Sequence, residues 1–564
     1  MRSKGAQISN DAAAVRGVHK KNSTLEQQQR LSRSLLWKLQ RNYFERQGFE
    51  AWSTGAVPHH ITSSPFIAGA YAEAVFWFLR DCVAKPIDLT QPIYILELGS
   101  GPGRFAYSFL KKLLALRSGS VLKDVRIKYV MTDFSDRTIE SWRTHRWFEP
   151  FIKEGVLDFA RFDVEHDGKF KLMHGGETIS AGNLRNPLVV IANYLFDSIP
   201  QDSFLVSGGE LFETLLTLTT PMQEKNPNDP EILSRVEFSY DFNRVNGHYY
   251  KDAKWNRILA DYKKRLTDTA FLFPTAALEC VENLHRLSGG RMLLLSGDRG
   301  YSSDEALLEG KGAPTMAVHG SFSLMVDYQI IGEFCRQLGG QVLHPERKTK
   351  SLNISAFLFG GSGDDFLETR QAYAEVIEKF GPDDFFTLKE GISEIYDGLT
   401  LEQIVAFLRL SCWDHKRFWE CVPFIKQHLE NMSAFEKQQL REAIVKVWDS
   451  YLPIGEESDL AFELGTLLLE MEFRAEAIEF LQHSVSLYGI APGTAYNIAV
   501  CHYGLGQLDQ ALEYLDQALG LDPEFAEAIN LRSELVVVQQ EPALNGVSTA
   551  QDLRLTFAIS KELK

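Results

Sequence analysis

The segment that most constrains this chain is a glycine-rich turn between two apolar stretches. Residues 93–98 read Ile-Tyr-Ile-Leu-Glu-Leu, and glycines follow at positions 99, 101 and 103. The apolar run predicts a buried strand, and Phe105–Leu116 beyond the turn has the pattern of a helix. Glycine permits a tight turn and lets a ligand approach bare backbone, while the first N–H groups of a helix can bind a carboxylate or phosphate. The sequence therefore predicts a strand–turn–helix unit of a nucleotide-binding sheet.

The spacing of the glycines separates two classes of ligand. A dinucleotide site has the spacing G-x-G-x-x-G, which would require a third glycine where this chain has Arg104. The pattern Glu97-x-Gly99-x-Gly101-x-Gly103 instead resembles motif I of class I S-adenosylmethionine (SAM) methyltransferases. The resemblance implies SAM as the cofactor. It implies cofactor contacts from Glu97, Gly99, Ser100, Gly101 and Gly103.

Three further predicted strands end in polar residues. The strand ends are Asp133 and Phe134 after residues 125–131, Asp163 and Val164 within residues 157–164, and Asn193 to Asp197 after residues 187–192. Carboxyl ends of parallel strands line one crevice, where an acid on the second strand can bind ribose hydroxyls and Phe134 can pack on adenine. In class I methyltransferases the position of Asp163 often accepts the adenine amino group. Each acid alone could instead cap a helix or a turn, but their order along the chain favours one cofactor site.

The end of the fourth strand also resembles one family. Residues 191–200, Ile-Ala-Asn-Tyr-Leu-Phe-Asp-Ser-Ile-Pro, resemble the A-N-E-F-F-D-A-L-P motif of MidA-like methyltransferases, which include mitochondrial assembly factors for respiratory complex I. Residues 61–67 and 71–73 are similar to the family's T-(S/A)-P-E-I segment and the helix after it. The resemblance covers roughly residues 30–360. Known members methylate an arginine of a partner protein and hold its guanidinium with carboxylates. Tyr194 stands where the family has Glu, so the arginine substrate does not carry over.

Methyl transfer from a sulfonium is an in-line displacement, which needs an aligned and dry crevice. Asn193 and Tyr194 are predicted to face the methyl group and the incoming nucleophile. Asp197 is predicted to orient a cationic or hydroxyl acceptor, or to take its proton. Tyr194 could instead stack on adenine or substrate, and His319 is a further candidate base for which a structural role is the simpler interpretation.

Composition limits the remaining possibilities. A chain of 564 residues predicts two or three domains, and a formal charge of −16 argues against a nucleic-acid substrate. There is no apolar run of eighteen residues, and residues 1–30 are polar, so we expect a cytoplasmic protein without a membrane segment. The six cysteines contain no C-x-x-C pair and the fourteen histidines show no ligand spacing, so we expect reduced thiols and no metal.

The chain divides into an α/β half and a helical half. Helical residues after 458 repeat with a period of 34, which pairs Gly465 with Ala499 and Leu481 with Leu515 and resembles the tetratricopeptide repeat (TPR). The predicted fold is a seven-stranded, Rossmann-like class I methyltransferase sheet followed by an all-α TPR-like domain. The predicted segments are a disordered N-terminus at 1–30, the methyltransferase domain at 31–360 with a β-rich insertion at about 203–242, and helices at 365–450 that could be degenerate repeats. TPR repeats with a capping helix are predicted at 458–540, and a tail at 541–564.

Three functions fit these features. The first is a methyltransferase acting on a protein substrate that the TPR helices recruit. The second is a small-molecule methyltransferase, which a deep closed pocket would favour. The third is a TPR scaffold whose methyltransferase domain binds SAM but is catalytically weak.

Overall fold

A seven-stranded sheet forms the centre of the N-terminal half of the protein. The computed structural model describes residues 23–54, 57, 61, 63–245, 247–309, 317–319, 321–349 and 352–540. The strands are β1 (Ile93–Leu98), β2 (Ile127–Asp133), β3 (Leu157–Arg161), β4 (Leu188–Asn193), β5 (Met292–Asp298), β6 (Gln341–Leu343) and β7 (Asn353–Leu358). Their order across the sheet is β6-β7-β5-β4-β1-β2-β3. Strands β1 to β5 are parallel, and β7 is antiparallel to both neighbours. The predicted fold class is confirmed.

Both faces of the sheet are covered, which explains why its strands are apolar throughout. Along β1, Ile93 and Ile95 face one core, and Tyr94 and Leu96 face the other. The first core is covered by Pro65–Val83, Arg104–Ser118 and Asp136–Arg143, with Glu149–Lys153 nearby. The second core is covered by Ala253–Arg265, Thr275–Leu287 and Tyr328–Gln337.

A second, five-stranded sheet packs beside the first. Its strands are Ser23–Arg30, Asp202–Ser207, Glu210–Thr220, Glu237–Arg244 and Thr269–Phe273. The prediction of disorder to residue 30 is therefore wrong for Ser23–Arg30, which pairs antiparallel with Glu210–Thr220. This polar segment has no apolar alternation to reveal it, and its order comes from backbone pairing and an ion pair of Arg30 with Glu213 (3.0 Å). Residues 1–22 and 541–564 lie outside the described residues.

The short elements connect these sheets to each other and to the surface. Two-residue strands pair Phe170–Lys171 with Thr178–Ile179 and Gly300–Tyr301 with Val326–Asp327. A hairpin pairs Ala317–His319 with Ser321–Ser323. The N-terminal helices are Leu35–Gln47 and Glu50–Ser53, and a short helix spans Asp304–Glu309.

The C-terminal half is helical. Its helices are Leu367–Tyr373, Ala374–Lys379, Pro382–Ser393, Leu401–Leu410, His415–His428, Ala434–Ser450, Leu460–Glu470, Arg474–Tyr488, Pro492–Gly504, Leu508–Leu521 and Ala526–Gln540. Close helix packing explains the small residues of the repeat, because a Cβ on Gly465 would lie 2.9 Å from Cγ of Leu481. No helix in the described residues is long and apolar enough to cross a membrane.

The two halves meet next to the glycine-rich turn. Arg104, the first residue of the helix after the turn, is 4% exposed. It donates from Nε to the carbonyl of Leu452 (3.0 Å) and forms an ion pair with Glu456. The ring of His145 hydrogen-bonds the carbonyl of Pro453 (2.7 Å) from the same side. The segment that leads into the TPR helices is therefore fixed to the back of the turn.

Candidate active site

A cavity of about 510 Å³ lies at the carboxyl ends of β1 and β4. The strand order reverses between these two strands, and ligands of open α/β sheets bind at such a point. The volume is in the range of small-molecule and cofactor sites. The lining includes residues from every strand end that the sequence singled out, namely Glu97, Gly99, Ser100, Gly101, Asp133, Phe134, Asp163, Val164, Asn193, Tyr194 and Asp197.

The turn after β1 has the backbone that its glycines predict. Gly99, Gly101 and Gly103 have φ angles of +61°, +52° and +80°, a region that side chains disfavour. At Gly103 a Cβ would also lie 2.9 Å from the ring of Phe148, so this glycine lets the turn pack closely. Gly99 and Gly101 line the cavity itself and present their backbone to it.

Glu97 places a carboxyl with one unpaired oxygen in the cavity wall. Its side chain is buried, and Oε2 has no hydrogen-bond partner in the described part of the chain. Burial raises the pKa of Glu97 to about 8, against the opposing effect of the hydroxyls of Ser100 and Tyr129. A buried carboxyl without a partner is costly unless a cation binds it. The amine of SAM is such a cation, so this position fits the predicted cofactor.

Asp133 and Asp163 line the cavity from β2 and the segment after β3. Oδ1 of Asp133 accepts a hydrogen bond from the N–H of Ser135 (2.8 Å), and burial raises the pKa of Asp133 to about 7. The carboxylate of Asp163 forms an ion pair with Arg41, which also lies 3.4 Å from Glu165. The strand-end acids are therefore brought together, but Asp163 already has a cationic partner.

Phe134 also contacts Arg41. The guanidinium lies 4.3 Å from the centre of the ring, so one face of Phe134 is covered by a cation. Any adenine packing on Phe134 has to use the other face or displace Arg41.

The end of β4 combines a strained residue with an unsatisfied amide. Tyr194 has φ of +45°, unusual for a residue with a side chain, and its N–H donates to the carbonyl of Gly297 (2.9 Å). Oδ1 of Asn193 accepts from the hydroxyl of Tyr71 (2.7 Å), whereas Nδ2 has no partner among the described residues. The amide therefore retains a donor for a ligand in the cavity.

Asp197 is paired with an acid that sequence reasoning missed. Asp298 ends β5, is fully buried, and accepts from the N–H of Phe196 (3.2 Å) at Oδ2. The two carboxyls are both buried and close enough for their charges to repel, which favours the protonated form of one of them. Burial raises the pKa of Asp197 to about 6, and burial together with the charge of Asp197 raises that of Asp298 further. The strand-end rule that selected Asp133 also applies to Asp298, because Asp298 is the last residue of β5.

The N-terminal helix Leu35–Gln47 covers the cavity, a position that the sequence did not reveal. The side chain of Gln40 is 3% exposed and hydrogen-bonds to two other segments that line the cavity, which holds the helix in place. Its Nε2 donates to the carbonyl of Ser198 (2.9 Å), and its Oε1 accepts from the N–H of Phe322 (3.0 Å). Trp37 contacts Phe322, with 4.9 Å between ring centroids.

His319 stays untested as a base. Its backbone lies in the strand Ala317–His319, and its side chain is outside the described part of the structure. Within the described residues, no group of three or more His, Cys, Asp or Glu side chains is arranged to hold a metal ion.

The fold and the crevice define a Rossmann-like α/β domain with a ligand site at its topological switch point. Residues 81–327 match the family described as "Putative S-adenosyl-L-methionine-dependent methyltransferase", and residues 494–525 match the tetratricopeptide repeat. The predicted resemblance is thus confirmed for both halves, and SAM is confirmed as the cofactor of the matched family. No curated protein matches the chain.

Several solved structures match parts of the chain. One is a superfamily member from Burkholderia thailandensis bound to S-adenosyl-homocysteine, with 14% identity, 60% of this chain and 90% of that chain covered, and a TM-score of 0.38. An O-methyltransferase family protein from the same organism has 12% identity, coverages of 58% and 72%, and a TM-score of 0.23. YrrB, a TPR protein with an unusual peptide-binding site, has 20% identity, coverages of 30% and 83%, and a TM-score of 0.23.

Proposed function

We propose that this chain transfers a methyl group from SAM to a small-molecule acceptor, and that its TPR helices bind a protein partner. The observation that carries the proposal is a single cavity containing the glycine turn, the acids of three strand ends and the Asn193–Asp197 segment. In this proposal Glu97 holds the cationic amine and Asp133 holds the ribose. Asp163 and Phe134 contact the adenine. Bound SAM supplies an electrophilic methyl group on its sulfonium.

The end of the cavity where the methyl acceptor would bind contains a group that can take a proton from it. Asp197 lines the cavity, and its pKa of about 6 leaves it largely ionised at neutral pH. Asp298 is buried and is not part of the cavity lining, and burial together with the charge of Asp197 raises its pKa further, so Asp298 keeps its proton while Asp197 ionises. We propose that Asp197 accepts the proton of a hydroxyl or thiol acceptor as the methyl group is transferred.

The walls of the cavity favour a small acceptor over the protein substrate that the repeats suggest. All of its lining residues lie between Trp37 and Ser323, and none belongs to the helical half. Gln40 fastens the covering helix by two hydrogen bonds from a buried side chain. A protein recruited by the repeats would have to reach this cavity, and no residue of the helical half that the structure describes lines it.

The proposal is tested with SAM carrying a labelled methyl group. The purified full chain is incubated with a low-molecular-mass cell extract and, separately, with the protein fraction of the same cells. We expect label in an organic small molecule, and none when the Gly101→Arg variant replaces the wild type. Label that appears only in protein would support recruitment through the repeats. Label in neither fraction, from protein that binds SAM, would support the scaffold function.

A further inference from the structure

The cavity contains one cation that the cofactor does not explain. Its lining includes two cationic residues, Arg41 and Arg299. Arg41 is paired with Asp163 and Glu165. Arg299 forms no ion pair with any residue that the structure describes, although it lines the cavity beside Tyr194 and Asp197.

The position of Arg299 is fixed by its backbone. Arg299 follows β5, and its carbonyl accepts from the N–H of Val326 (2.9 Å). The next two residues, Gly300–Tyr301, pair in parallel with Val326–Asp327. A Cβ on Gly300 would lie 2.4 Å from the carbonyl oxygen of Val326, so this contact needs glycine. The side chain of Arg299 therefore begins at a fixed backbone position, on the side of the cavity where the methyl acceptor would bind.

The charges at this end of the cavity oppose a cationic acceptor. Burial and the charge of Asp197 favour the protonated form of Asp298, so Asp197 is the one of these two acids that carries a charge, and Arg299 lies beside it without forming an ion pair with it. Tyr194, which is neutral, occupies the position at which the MidA-like methyltransferases have Glu. Aromatic rings of Trp37 and Phe322 form the adjoining wall.

We propose that Arg299 is a specificity-determining residue that binds an anionic group, a carboxylate or a phosphate, of an aromatic hydroxyl acceptor. A planar guanidinium binds either anion through two hydrogen bonds, so the chemistry is shared by both. The carboxylate of SAM has another candidate site, because the helix Arg104–Ser118 begins directly after the glycine turn and Phe105 in its first turn lines the cavity. This inference rests on the proposed function and names the substrate class of the same site.

The test uses the full chain saturated with S-adenosyl-homocysteine, which occupies the cofactor site without permitting transfer. Binding of four probes is measured by ligand-observed NMR titration: 4-hydroxybenzoate, 4-hydroxyphenyl phosphate, neutral 4-hydroxybenzamide and cationic tyramine. We expect at least one anionic probe to bind about tenfold or more tightly than the neutral and cationic probes. The stronger of the two anionic probes distinguishes a carboxylate from a phosphate acceptor.

Two variants test whether Arg299 causes the preference for anionic probes. Arg299→Gln should abolish the preference for anionic probes and leave the affinity for S-adenosyl-homocysteine within about twofold of wild type. Arg286→Gln, at an exposed arginine outside the cavity, should change neither. The inference is overturned if no anionic probe binds, if the preference is absent or survives Arg299→Gln, or if Arg299→Gln weakens cofactor binding, which would assign Arg299 to the SAM carboxylate. Failure of the wild type to bind S-adenosyl-homocysteine would instead overturn the proposed function.

Discussion

At the scale of single residues, Glu97 links cofactor binding to pH. Its pKa of about 8 in the free protein means that the neutral acid predominates at pH 7. A cationic amine requires the carboxylate, so SAM affinity should rise about twofold to threefold from pH 7 to pH 8, above which loss of the proton of the amine itself opposes the rise. Asp133 titrates near pH 7 and contributes less in this range. The measurement is calorimetric titration with SAM at several pH values.

The Glu97→Gln variant removes this titration. It should bind SAM about tenfold or more weakly at pH 8.5 and lose most of the pH dependence. Glu140→Gln, at an exposed glutamate, is the matched control and should behave as wild type. A wild-type affinity that stays constant from pH 7 to pH 8 would show that Glu97 does not hold the amine.

Asp197 governs a second prediction at this scale. If its carboxylate takes a proton from the methyl acceptor, kcat/KM should fall as the pH drops below about 6, where Asp197 becomes protonated. Asp197→Asn should lower kcat by about a hundredfold or more, with SAM affinity retained. Asp136→Asn, at a side chain 80% exposed, is the control. Full activity of Asp197→Asn would remove the proposed base.

At the scale of elements, the covering helix Leu35–Gln47 depends on Gln40. Gln40→Ala removes both hydrogen bonds and leaves the buried carbonyl of Ser198 and N–H of Phe322 unpaired, at a cost of about 2 kcal/mol. We expect faster hydrogen exchange in residues 31–47 and weaker SAM binding. Lys38→Ala, at an exposed residue of the same helix, should show neither change. Unchanged hydrogen exchange in Gln40→Ala would mean that other contacts hold the helix over the cavity.

The same scale shows what the sequence can predict. The apolar strands and glycine turn are local patterns, and they were sufficient to predict the central sheet and the strand ends that line the cavity. The strand Ser23–Arg30 was missed because its order comes from pairing with residues about 190 positions away. The contact of Arg41 with Asp163 was missed for the same reason, since an amphipathic pattern does not identify the surface that a helix covers.

At the scale of the whole molecule, Arg104 and Glu456 join the two halves. Glu456→Gln leaves the buried guanidinium without its counter-charge, which typically costs about 3–5 kcal/mol. We expect a lower melting temperature and weaker SAM binding, because Arg104 directly follows the glycine turn. Glu457→Gln, at the exposed neighbour, is the control. Wild-type SAM affinity in a folded Glu456→Gln variant would show that the helical half does not support the cofactor site.

The central claim is that the turn at Gly99–Gly103 holds SAM, and one titration tests it most directly. Gly101→Arg places a side chain at φ of +52°, against Trp52 in the cavity wall, with 3.4 Å already separating a Cβ from that ring. Gly119→Arg is the matched control, because Gly119 lies at the exposed C-terminal end of the helix Arg104–Ser118 and a Cβ there would have no atom within 4 Å. Calorimetry should give micromolar binding of SAM and S-adenosyl-homocysteine to wild type and Gly119→Arg, and none to folded Gly101→Arg. Absence of binding to the wild type, or undiminished binding to Gly101→Arg, would contradict the claim.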